Sequence, residues 1–192
     1  MEDFVFYFKL GWQHIISINA FDHLFFIMAL TSIYLLKDIK QVLFLVTAFT
    51  IGHAISLSLS ILNFVKINSS LVEFLIPLSI IITAEIQFVK SLHPKAPFRF
   101  KYVFALLFGL LHGLGFANTI RMIMAESQQI TLPLFSFNIG LEIGQICFVL
   151  LLLMLAHFFI KIIGLPQKWW IRILSTIALG GGIYWAIIRF PI

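Results

Sequence analysis

Charge is what this sequence has least of. Only 11% of its 192 residues are Asp, Glu, Lys or Arg, against about a quarter in soluble domains. That scarcity excludes a soluble globular domain, and it excludes disorder, which needs high charge and low hydrophobicity. Cysteine is nearly missing as well. The single Cys147 sits in an apolar run, so no intrachain disulfide can form. The start, MEDFVFYFKLGWQH, is acidic and lacks a basic n-region, so no cleavable signal peptide is expected. No Walker motif occurs, which excludes nucleotide-driven work by this chain. The net charge of +5 calls for no nucleic-acid partner, because basic loops against an anionic leaflet account for it.

What is present is apolar bulk. Hydrophobic residues make up 61% of the chain, with 22 Phe. At about 30 residues per span and connection, the length holds about six spans and no appended soluble domain. The expectation is therefore all-α, one transmembrane domain over residues 1–192, embedded in a lipid bilayer. The spans fall at Phe21–Leu36 with part of the preceding Phe4–Ala20 stretch, Gln41–Phe64, Leu71–Val89, Tyr102–Met124, Leu134–Ile160 and Trp169–Arg189. The stretch GWQHIISINAFDH carries a Gly, amides and two His, and reads as a re-entrant or interfacial piece before the first span.

Six spans place both termini on one side. Lys37, Lys40, Lys90, Lys95, Arg99, Lys101, Lys161, Lys168 and Arg172 flank the odd-numbered connections, while Lys9, Lys66, Arg121 and Arg189 lie opposite. The positive-inside rule then puts both termini outside. A short internal similarity is also visible. FTIGHAIS (Phe49–Ser56) matches FNIGLEIG (Phe137–Gly144), and GWQH (Gly11–His14) shares Gly-x-x-His with GLLH (Gly109–His112). Segments three spans apart run in opposite directions, so the expected relation is an inverted three-plus-three repeat.

Polar groups are costly in this solvent, which makes them informative. An ionisable side chain at mid-bilayer costs roughly 2.5–3.5 kcal/mol on insertion scales and needs a partner or a cavity. His14, Asp22, His23, His53, His112 and Glu142 are expected to converge in the outer half of the bundle. Asn138, Glu142 and Gln145 share one helical face; Thr50, His53 and Ser56 share another. Glu85 stands apart, near the opposite end of its span. Glu73 and Arg121 fall near span ends and read as snorkelling. A lone intramembrane His or Asn is most often interhelical glue, worth about 0.6 kcal/mol. That bland account suits Ser58, Ser60, Asn118 and Gln145, but not several imidazoles and carboxylates at one depth. Imidazole with carboxylate is the ligand set of a borderline divalent ion, Ni²⁺, Zn²⁺ or Co²⁺.

The segments GWQHIISINAFDHLFFIMAL, TAFTIGHAISLSLS, FGLLHGLGFA and FNIGLEIGQI resemble the HupE/UreJ family of small membrane proteins, in its variant branch. Members are proposed nickel permeases found beside hydrogenase and urease genes. The resemblance implies a metal permease of a bacterial inner membrane, with nickel as the leading cargo. A different family of nickel-cobalt permeases uses His-x4-Asp-His; here the spacing is His14-x7-Asp22-His23, so only the chemical theme is shared. In the permease reading the six outer residues bind the ion and Glu85 relays it inward. The alternative is an intramembrane zinc hydrolase, since three His, an Asp and a Ser also resemble the ligand set of the alkaline-ceramidase-type superfamily. A non-catalytic accessory subunit is a third class.

Overall fold

The computed structural model describes residues 2–17, 21–92, 101–124 and 130–191. His93, Lys95, Arg99, Asn19 and Ala20, on which parts of the sequence reading lean, lie outside them, as do the side chains of Lys90, Asn118 and Arg121. Seven α-helices are described: α1 (Glu2–Ile16), α2 (Phe21–Thr31), α3 (Ile39–Ile61), α4 (Ser69–Leu92), α5 (Lys101–Met124), α6 (Thr131–His157) and α7 (Gln167–Ile188). No strand occurs among the described residues. Four stretches, Leu36–Ile61, Ser69–Val89, Thr131–Ile162 and Gln167–Ile188, are long and apolar enough to cross a membrane. The α1–α2 pair passes the same criterion as one span bent by 67°, and α5 is apolar over Lys101–Ala117. The protein is a polytopic integral membrane bundle.

The first span differs from the sequence expectation. α2 stops at Thr31 instead of running to Leu36, because Thr31 and Ser32 return their hydroxyls to the carbonyls of Ile27 and Ala29 and open a turn. The preceding stretch reads from the sequence as a re-entrant or interfacial piece. In the structure it is a full helix, α1, packed along α6 with Tyr7, Gly11 and Ile15 buried. α1 and α2 thus form a bent helix pair, the geometry of broken spans and re-entrant segments, which lipid tolerates where backbone lines a protein cavity. Elsewhere the ends follow local chemistry. Asn63 takes a left-handed φ of 60° just after α3, and Gly164 takes 83° ahead of Pro166 and α7.

Glycines fix the helix pairing. A Cβ on Gly109 would overlap the Phe49 carbonyl oxygen and lie 3.1 Å from the His53 nitrogen; one on Gly52 would overlap the Leu106 carbonyl and lie 3.0 Å from the Leu110 nitrogen. α3 and α5 therefore touch backbone to backbone. α1 and α6 repeat the contact. Gly11 meets Phe137 and Leu141, 3.0 Å from the latter's nitrogen, and Gly140 meets Phe8 and Trp12, 3.0 Å from the latter's nitrogen. Phe8-x2-Gly11-Trp12 thus matches Leu106-x2-Gly109-Leu110, and Phe49-x2-Gly52-His53 matches Phe137-x2-Gly140-Leu141. Gly113 against His53–Ser56 and Gly144 against Ile15 show that both pairs run parallel. α4 and α7 pack antiparallel, with Phe74 beside Phe190, Ile81 beside Gly182 and Ser91 beside Arg172. The architecture is an inverted repeat: α1/α2, α3 and α4 against α5, α6 and α7.

That packing predicts a sharp contrast between glycines. Gly109→Ala should destabilise the bundle by about 1–3 kcal/mol, because neither backbone can yield. Gly180→Ala, where a Cβ meets nothing within 4 Å, should be neutral or slightly stabilising. Denaturant titration of the purified protein in mild detergent separates the two.

Candidate metal site

Four helices, α1, α2, α3 and α5, bring imidazoles together. His14 ends α1, His23 opens α2, His53 lies within α3 and His112 within α5. One ligand nitrogen from each of His14, His23 and His53 lies within 4.8 Å of the other two. In a tetrahedral site with Zn–N of 2.0–2.1 Å the nitrogens stand about 3.4 Å apart, so small side-chain adjustments close the set around an ion. His112 joins through His23, their ring centroids 4.7 Å apart. Under the inverted repeat His14 and His112 are equivalent positions, while His53 is matched by Leu141. His53 and His112 are 0% and 1% exposed, far more enclosed than interfacial histidines.

Hydrogen bonds set the tautomers. His112 Nδ1 lies 2.8 Å from the Phe108 carbonyl oxygen, and His23 Nδ1 lies 3.1 Å from Asp22 Oδ1. Both oxygens accept, so both Nδ1 atoms donate, and each Nε2 of a neutral ring is the atom left to ligate. This is the orienting partner that metal-binding histidines use. The Nε2 atoms of His14, His23 and His112, and both nitrogens of His53, are buried without a hydrogen-bond partner. Such atoms are costly to bury. The donor set fits a borderline divalent ion, and among the described residues no thiolate or thioether lines the cavity.

Asp22 has two tasks. Its Oδ1 also accepts the His23 backbone N–H at 3.0 Å, and its Oδ2 pairs with Arg189 Nη1 at 3.0 Å. Its role here is to aim His23. Beside these groups lies a cavity of about 230 Å³, lined by His14, Asp22, His23, His112, Glu73 and Arg189, among others. It opens where α4 begins and α7 ends, the end of the bundle that also holds the start of α1.

Two sequence candidates lie elsewhere. Glu142 accepts a 2.7 Å hydrogen bond from Thr47, and one turn on, Gln145 accepts from Thr50 at 3.0 Å. Together they form a polar seam where α3 crosses α6, displaced from the histidines toward the opposite end of both helices. Glu85 is exposed on α4, beside buried Thr83 and Ala84, and does not line the cavity. Ser56 donates to the His53 carbonyl and does not line the cavity. Conversely, sequence reasoning passed over Glu73 and Arg189. The available signal was charge complementarity, an arginine closing the last span opposite an aspartate opening α2.

The family model described as HupE / UreJ protein matches residues 1–189. The chain belongs to the HupE/UreJ family. No curated protein and no solved structure matches it. Membership carries a metal-transport role for this HupE/UreJ protein, and its buried histidine cluster is compatible with a divalent ion.

Proposed function

We propose that this HupE/UreJ protein is a permease for a divalent transition metal, with Ni²⁺ the leading cargo and Zn²⁺ the principal competitor. The observation that carries this reading is the set of converging imidazole nitrogens, buried and without partners, with His23 and His112 oriented by hydrogen bonds, beside an open cavity. The ion enters past Glu73, and His14, His23, His53 and His112 replace part of its hydration shell. It leaves along the α3–α6 seam of Thr50, Gln145, Thr47 and Glu142, which takes the inner position that the sequence suggested for Glu85. Binding must be loose enough to permit departure, which favours a site whose ligands sit slightly apart before the ion arrives. On the positive-inside rule the charge asymmetry supports a cavity facing outward in a bacterial inner membrane, and the proposed direction is uptake. With no nucleotide-binding motif, the membrane potential supplies about 2.3 kcal/mol per charge per 100 mV.

Flux tests the proposal. Sealed proteoliposomes holding the protein and a metal-sensing dye should accumulate Ni²⁺ under an inside-negative potential. Glu142→Gln should slow that flux strongly while leaving metal affinity near wild type, and Glu85→Gln should change neither. Protein that binds the ion but passes none, with or without a potential, would overturn the permease reading. It would favour the zinc-hydrolase alternative, for which three imidazoles with an open fourth position are also the required set.

A further inference from the structure

Arg189 has a place that cation binding alone does not explain. A guanidinium lines the cavity beside the imidazoles, paired at 3.0 Å with Asp22, whose other oxygen holds His23. It is a fixed neighbour, since its guanidinium carbon also sits 4.6 Å from the Trp185 ring centroid. A positive charge there opposes the arrival of a divalent cation. The remaining charged groups of the lining are the carboxylates of Asp22 and Glu73. With neutral imidazoles the formal charge of the lining is −1; without Arg189 it would be −2.

We propose that Arg189 is a tethered counter-cation that sets the strength of metal binding. It occupies the second oxygen of Asp22, keeping that carboxylate from ligating the ion directly, and its charge weakens the hold of the histidines. The structural role ordinarily given to such a pair predicts the opposite. If Arg189 only braced Asp22 and His23, its removal would loosen the site and weaken binding. The proposal rests on the permease reading, in which a site that binds too firmly cannot release its ion.

Isothermal titration of the purified full-length protein with NiCl₂ and with ZnCl₂ distinguishes these cases. Arg189→Gln should bind the ion on the order of 10-fold more tightly than wild type, the direction set by removing one positive charge from a low-dielectric cavity. Arg189→Lys, which keeps the charge, should stay close to wild type. In proteoliposomes Arg189→Gln should lower both the half-saturating metal concentration and the maximal flux. Equal or weaker binding by a folded Arg189→Gln overturns the proposal while leaving the metal site intact. Should that variant fail to fold, Glu73→Gln, at an exposed position of the same lining, carries the test with opposite sign: weaker binding is expected, and unchanged affinity overturns it. Wild-type protein that binds neither metal would instead overturn the permease reading beneath it.

Discussion

Replacing His53 by leucine is expected to abolish metal binding and at the same time to stabilise the metal-free protein. The two effects share one cause. His53 is fully enclosed, and neither ring nitrogen makes a close hydrogen bond, the Asn138 amide being turned toward the ring without closing on it. A buried polar group in that condition costs about 1–3 kcal/mol, and an apolar group of similar volume relieves the cost. Leucine is the residue the bundle already uses at the equivalent position, Leu141, which is also fully buried. His53→Leu should therefore raise the unfolding free energy of the apo protein by about 1–3 kcal/mol. Removing one of three converging imidazoles should lower Ni²⁺ or Zn²⁺ affinity by more than about 100-fold, beyond the 10- to 100-fold lost with an orienting partner. Thermal unfolding with and without metal reads both at once: a higher midpoint for the apo variant, and none of the metal-dependent rise that binding gives wild type. A variant that still gains stability from metal would remove His53 from the site.

The second large effect is expected at Asp22. Asp22→Asn keeps a side chain able to accept from His23 Nδ1–H but removes the charge that holds this tautomer. It also leaves Arg189 uncompensated in the cavity lining. Both changes act against a cation, so the affinity loss should reach on the order of 100-fold, the upper end for an orienting partner. Adding Arg189→Gln should recover part of it, because the uncompensated guanidinium then disappears. Titration of the single and double variants checks this. Equal affinities for Asp22→Asn and wild type would mean that the carboxylate serves packing alone.

Much of this arrangement was legible in the sequence because lipid makes polar residues conspicuous. His14, Asp22, His23, His53 and His112 stood out against apolar helices, and the structure gathers them around one cavity or its edge. The repeat was legible too, although FxIGxxI and GxxH are short. What gave it force was invisible in sequence: the paired glycine contacts of Gly11 with α6 and Gly109 with α3. Rotation about a helix axis was the harder quantity. Glu142 shares a face with Asn138 and Gln145, yet of the three Asn138 turns toward an imidazole, that of His53, while Glu142 and Gln145 meet Thr47 and Thr50. Glu85 illustrates the same point, since Ser79, Thr83, Gln87 and Ser91 repeat every four residues along the buried face of α4 and Glu85 lies off that stripe. The α1–α2 break was hidden because both helices are apolar, and only the polar ISIN segment between them hinted at it.

The central claim is that histidines from α1, α2 and α3, with His112 beside them, hold the transported ion. X-ray absorption at the metal edge of the stoichiometrically loaded protein tests it most directly. The account predicts about one ion per chain, a first shell of nitrogen or oxygen donors at about 2.0–2.1 Å, no sulfur, and the outer-shell scattering of at least three imidazole rings. An oxygen-only shell without imidazole scattering would contradict it.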